Sequence, residues 1–496
     1  MGSLAKNLSY NYIGTLTVSI LGFLATPLLI RYLGVETFGA WVLLGSILAY
    51  ASLFDLGAGL AAMKLIAEHD LATERQAINR LFSNVFATYI ALGGVFLLAA
   101  ACLYPLLSHL FAVPAYLAND FRLAYLIVVG AAAISFSGAS LTATLQGVHD
   151  FKTQNMVVVL QTLASTLALV ASALLTRSLV WVALTGTIVN LIAFLIKFWL
   201  VRRKGIMFNR RFIDRAVLRK IFHFGSAVFI INIAARIVFD TDALIIGAFL
   251  GTAAVASYQV ALGPNVALRK IGDQLNSVTL TASSRLHATR KLVELRALYR
   301  RATKYSLLIM LPFIMGTLFL GRDLLRTWVG PEFESSYWVL VCLAVGISIV
   351  NLQSTAAQLI LSMGEHRRLA IICGIEAVAN LGLSILLLHH LGITGVALGT
   401  LIPTALTAFL YTMPVATRKI GLSYRQTLRD FLVPFAASLL AAPFLFAVHT
   451  LTHPTNLLQV LAAGTVYAGL YGAFVVLLDK NIRALALVYK KKVFGS

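Results

Sequence analysis

Arg236 stands in an otherwise apolar stretch, with Asn232 one helical turn before it and Asp240 one turn after it. A guanidinium grips phosphate oxygens with two parallel hydrogen bonds. A charge among apolar residues is costly enough to imply a cavity or a partner. Arg236 is therefore either an anion-binding group or half of an i,i+4 ion pair with Asp240. Glu376 is the next most isolated charge, with Asn380 one turn away. It could titrate, or serve as a neutral acid in helix packing. Lys64, Arg269 and Lys270 close apolar stretches, where they could collect an anion or simply set topology. Asn232, Asn351, Gln353 and Gln358 add amides that suit a polar ligand or a bond between helices.

Catalytic constellations are missing. The sequence contains no P-loop, no Gly-rich dinucleotide turn and no nucleophile elbow. His389 and His390 adjoin one another without a complete ligand set, so no metal is expected. Cys102, Cys342 and Cys373 lie in apolar runs and read as small apolar residues. The sequence therefore leads to an expectation of no enzyme chemistry and no cofactor.

The elements that must position these residues show themselves by where charge is absent. Residues 7–30, 81–119, 153–176, 243–268, 335–364, 377–417 and 431–478 hold no Asp, Glu, Lys or Arg. A bilayer core of ~30 Å needs about 20 apolar helical residues per crossing. Divided at polar or Gly/Pro turns, the runs give fourteen spans in an all-α integral membrane protein. The seventh is expected near 221–240 and the eighth near 242–264, with Asp240 and Asp242 flanking a tight outer turn. The first span is too long for a signal-peptide core and is expected to be retained.

Charge supplies the orientation. With a cytoplasmic N-terminus, 34 Lys and Arg fall on the inner side and five on the outer side. That asymmetry predicts both termini in the cytoplasm. It also accounts for the net charge of +21, which then faces anionic lipid and excludes a nucleic-acid partner.

The most basic interior segment, 201–220, separates six spans from the next six. Leu33-Gly34 recurs as Leu250-Gly251, Ser9 as Ser226 and Gly147 as Gly364, all at an offset of 217. Six is even, so the halves read as parallel repeats about an axis along the membrane normal. The expected architecture is two six-helix lobes, 1–204 and 205–417, around a central cleft. Residues 418–496 add spans thirteen and fourteen and a basic tail.

Several motifs carry a family resemblance. They include Ile30-Arg31-Tyr32-Leu33-Gly34-Val35-Glu36-Thr37-Phe38-Gly39 and Ser52-Leu53-Phe54-Asp55-Leu56-Gly57-Ala58-Gly59. The second half adds Thr241-Asp242-Ala243-Leu244-Ile245-Ile246-Gly247, Trp328-Val329-Gly330-Pro331-Glu332-Phe333 and Leu391-Gly392-Ile393-Thr394-Gly395. In this order the chain resembles the bacterial polysaccharide transporter family, the Wzx-type oligosaccharide flippases, a branch of the superfamily that includes multidrug extruders and lipid II flippases. The resemblance implies transfer of a polyprenyl-pyrophosphate-linked oligosaccharide across a bacterial inner membrane for O-antigen, capsule or exopolysaccharide. It also implies work beside a polysaccharide polymerase and export machinery. On that reading Arg236, Lys64, Arg269 and Lys270 are pyrophosphate candidates, Asn232 a sugar candidate and Glu376 the ion-coupling candidate. A small-molecule antiporter of the same superfamily is the alternative. A glycan-assembly enzyme is disfavoured by the short outer loops.

Overall fold

In hydrocarbon every backbone polar group must be satisfied within its own segment or a closed barrel, so uninterrupted apolar runs become helices. The computed structural model describes residues 20–55, 57–219, 233, 236–238, 240–479 and 482–484, and among them there is no strand. The first half comprises α1 (Ile20–Leu33), α2 (Val35–Ala49) leading into a tighter turn at Tyr50–Asp55, α3 (Ala58–Ala67) and α4 (Arg75–Leu110). It continues with α5 (Ala118–Gly147), α6 (Phe151–Thr176) and α7 (Leu179–Arg203). The second half comprises α8 (Asp242–Phe249), α9 (Thr252–Ala288), α10 (Leu292–Trp328), α11 (Tyr337–Ser362) and α12 (His366–Thr407). A wide turn at Ala408–Thr412 joins α12 to α13 (Met413–Lys419), and a C-terminal pair follows, α14 (Leu432–Ala447) and α15 (Leu457–Leu478).

Ten helical stretches among the described residues are long and apolar enough to cross a membrane. One of them, Arg367–Lys419, has 53 residues and breaks at Gly392, whose φ is 57°. At about 1.5 Å per residue it supplies two crossings. The chain is an all-α, multi-pass membrane protein, as its charge-free runs indicate.

The 217-residue offset reappears in the helix boundaries. The starts of α2 and α9, at Val35 and Thr252, differ by 217, as do those of α4 and α10, at Arg75 and Leu292. Each α2-type helix is preceded by a glycine of positive φ, 85° at Gly34 and 82° at Gly251, a conformation that only glycine adopts without strain. This corrects the expected turn between the seventh and eighth spans. The reversal lies at Leu250-Gly251, not at 240–242, and Thr241 is only a bend between helical residues. Asp240 and Asp242 are therefore inside the span. The symmetric site, Leu33-Gly34, already pointed there; the pair of aspartates suggested a polar turn and obscured it.

The chain packs as two compact units, Met1–Gln259 and Val260–Ser496. The first takes in the basic linker and α8 in addition to the six spans expected for 1–204. Within it α5 lies against α3, α4 and α7, and α6 packs on α7. Small residues set the closest approaches, as they do where lipid competes for every apolar surface. A Cβ on Gly39 would stand 1.8 Å from the Thr252 carbonyl oxygen, so α2 meets the start of α9 backbone to backbone. The linker is ordered against α4. Asn84 donates to the Phe212 carbonyl and accepts from the Asp214 amide, both at 2.7 Å. The Asn209 amide reaches Ser83 at 2.9 Å, the Met207 amide reaches Asn79 at 3.0 Å, and Arg80 pairs with Asp214. Asn79, Arg80, Ser83 and Asn84 have the spacing of one helical face.

In the second unit α11 packs on α10 and α12, and α14 and α15 pack on each other and on α10. Leu320 sits in one cluster with Ala437, Leu445, Tyr467 and Tyr471. Arg300 binds Asp430 through two bonds of 2.6 Å, and Lys304 pairs with the buried Asp479. Elsewhere large apolar side chains face outward, among them Leu98, Leu167, Leu175 and Leu439, as a lipid-contacting surface requires.

Candidate functional site

With the reversal at Leu250-Gly251, depth within the span can be read along the helix. Arg236 lies about 20 Å from that end, Asp240 about 15 Å and Asp242 about 12 Å. Each of these lengths is shorter than the ~30 Å of a bilayer core. Arg236 Nη1 donates to Asp240 Oδ2 at 2.5 Å, and the two side chains are 36% and 28% exposed. Both are thus accessible, and the pair engages only part of the guanidinium, which has five N–H donors. Two residues beyond Asp240, past the bend at Thr241, buried Asp242 accepts from Tyr258 Oη at 2.5 Å. Tyr50, at the end of α2, shares a hydrogen bond with Thr241, which brings the first half of the chain to the same polar patch. Asp242 was read only as flanking an outer turn, and Tyr258 and Tyr50 were not among the candidates. An aspartate inside a span looks like one beside a turn until the turn is placed, and tyrosine is an ordinary membrane residue.

Glu376 lies in the second unit, on α12, and is 6% exposed. It accepts hydrogen bonds from Gln353 Nε2 at 2.9 Å, Thr404 Oγ1 at 2.9 Å and Thr407 Oγ1 at 2.8 Å. Asn380, one turn further, donates to Thr400 at 2.9 Å. Gln353 is thus committed to the carboxyl, with Thr407 and Thr412 also near its amide nitrogen. The arrangement satisfies both carboxylate oxygens with neutral donors, a buried polar network that is closed on itself.

The other candidates are dispersed. Lys64 is exposed on α3, in the first unit. Arg269 and Lys270 belong to the second and lie near the midpoint of α9, about 26 Å from its start, close to where a crossing ends. The helix does not stop at them but continues to Ala288. Asn232 lies outside the described residues. Among the described residues no group of three His, Cys, Asp or Glu side chains could hold a metal.

The helical fold, with ten stretches among the described residues long and apolar enough to cross a bilayer, defines a polytopic membrane protein. Solved structures share that fold. A lipid II flippase in an inward closed conformation matches with a TM-score of 0.76 at 16% identity, over 95% of this chain and 99% of its own. A multidrug-resistance transporter in an inward-facing conformation matches with a TM-score of 0.66 at 15% identity, over 82% and 98%. The chain belongs to the polysaccharide biosynthesis protein family, whose model matches residues 28–338. Its relatives include the membrane protein EpsK of Bacillus subtilis, 22% identical over 99% of this chain and 98% of that one. A Shigella flexneri protein provisionally named as an O-antigen transporter is 22% identical, over 82% and 96%.

Proposed function

We propose that this protein is a flippase that carries a polyprenyl-pyrophosphate-linked oligosaccharide from the cytoplasmic to the outer leaflet of a bacterial inner membrane by alternating access, without catalysing a covalent step. The family match over residues 28–338 carries this reading. The site is compatible with it. A lipid tail can stay in the bilayer while the headgroup needs a polar path, and Arg236 offers a cation inside a span with donors left over after pairing with Asp240. In this proposal Arg236 takes pyrophosphate oxygens, Asp240 holds its orientation, and Lys64, Arg269 and Lys270 gather the anion at the cytoplasmic end. Glu376 is the ion-coupling group, its hydrogen-bonded ring changing with its charge. Both termini are cytoplasmic, and residues 1–204, 205–417 and 418–496 act as N-lobe, C-lobe and added pair.

One observation favours the second reading, an organic-cation antiporter. Asp240 and Asp242 together outweigh Arg236 in formal charge. The deciding experiment is reconstitution into vesicles with a labelled lipid-linked oligosaccharide on one leaflet, run beside an organic-cation uptake assay. Movement of the glycolipid alone supports the flippase. Cation transport alone replaces it with the antiporter.

A further inference from the structure

A pocket of about 520 Å³ opens where α11 ends and α12 begins, and none of the candidate site residues described above lines it. Its lining includes the polar Glu365, Arg367 and Arg368 and the apolar Met363, Ile371 and Tyr411, with Gly364 between. The wall residues differ in what already holds them. Glu365 pairs with Lys419 and, at 3.5 Å, with Arg368 Nη1. Arg367 is exposed and has no carboxylate within ion-pair distance among the described residues. The acid therefore pairs closely with Lys419 and only loosely with Arg368, so the guanidinium groups of Arg367 and Arg368 both keep donors for a ligand.

The two walls lie at different depths. Arg367 and Arg368 sit in the first turn of α12, at the mouth of the crossing. Ile371, 56% exposed, follows one turn deeper on the same helix, and Tyr411 approaches from the wide turn before α13, 43% exposed. Next to them Ile375 and Leu410 are 62% and 71% exposed, as on a surface that faces lipid chains. Cationic groups at the headgroup level above apolar ones at the chain level match one kind of molecule, an amphiphile with a phosphate at its polar end. The pocket is small for a pyrophosphate bearing several sugars, and its apolar wall continues onto exposed apolar residues. Both features favour a bulk phospholipid over the transported species.

We propose that this pocket binds the headgroup phosphate of an anionic phospholipid in the leaflet at the basic end of the spans. Arg367 supplies the main contact, Arg368 the second, and Ile371 and Tyr411 line the start of the acyl chains. Basic pockets between spans on the cytoplasmic side commonly take such headgroups. The inference is independent of the transported substrate.

The test uses the purified full chain in detergent, titrated separately with phosphatidylglycerol, phosphatidylcholine and inorganic phosphate, with bound lipid counted by native mass spectrometry. Phosphatidylglycerol is expected to occupy a saturable site. R367Q should weaken it about fivefold and R367Q/R368Q about thirtyfold, while R367K should retain most of the affinity. Y411A should weaken phosphatidylglycerol and leave any phosphate binding unchanged. Thermal unfolding of each variant shows that it remains folded; because Arg367 is exposed, R367Q should match the parent chain. Equal retention of phosphatidylglycerol by parent and R367Q/R368Q would overturn the proposal. So would equal affinity for phosphatidylcholine, which would mark ordinary boundary lipid, or full competition by inorganic phosphate, which would mark a free-anion site.

Discussion

At the residue scale, the proposed chemistry turns on Arg236. A charge-assisted hydrogen bond contributes about 1.5–3 kcal/mol, so R236A should lower glycolipid transport roughly tenfold or more at unchanged protein abundance. R236K should recover only part, because a lysine cannot reproduce the planar fork. If the pair with Asp240 is purely structural, R236A will lower abundance instead, a result that immunoblotting separates from a transport defect. Glu376 makes a second prediction. E376Q keeps the shape of the hydrogen-bonded ring and removes its charge change. It should leave abundance near normal and abolish the dependence of transport on an ion gradient; a variant with unaltered gradient dependence rules Glu376 out. Arg236 and Glu376 were visible in the sequence because each interrupts a long uncharged run. Asp242 was not, because its depth depends on where the chain reverses, ten residues beyond the position its polarity suggested.

At the element scale, two contacts can be tested. Gly39 leaves no room for a Cβ against the Thr252 carbonyl, whereas a Cβ on Gly45 would meet nothing within 4 Å. Overpacking of a tight contact costs about 1–3 kcal/mol, so G39A should lower the Tm clearly and G45A little. Similar effects from both would show that the α2–α9 approach is not tight. The linker gives a pH prediction. The Ala216 amide and then Arg80 hold the Asp214 carboxyl below its ordinary value. A depressed folded-state pKa means stabilisation that is present above the unfolded value and lost as pH falls through the folded one. Proteolysis of the 205–214 strap should therefore rise below about pH 4. D214N should be cleaved faster at neutral pH and show a smaller further rise on acidification; acid sensitivity equal to the parent's would contradict the assignment. The strap's basic composition marked it only as the segment that separates the two halves. Its order comes from Asn79, Ser83 and Asn84, whose partners are backbone groups more than a hundred residues away, which no local pattern reveals.

At the scale of the whole molecule, the membrane class, the helical fold and the repeat register were legible because they rest on long-range regularities. Charge-free length, the inner excess of Lys and Arg and the 217-residue offset each survive the loss of any single residue. Packing between elements was less legible, since glycines and alanines look alike whether they meet a helix or lipid. Reporter fusions within 201–220 and 321–337 should read cytoplasmic and periplasmic respectively; the reverse would invert the proposed topology. The central claim is transport of a lipid-linked glycan. Its most direct measurement is the rate at which a labelled polyprenyl-pyrophosphate oligosaccharide becomes accessible on the opposite leaflet of vesicles containing the purified protein. The account predicts acceleration over protein-free vesicles that falls sharply in R236A. No acceleration by a folded, correctly inserted protein, across oligosaccharides of differing composition, would contradict it.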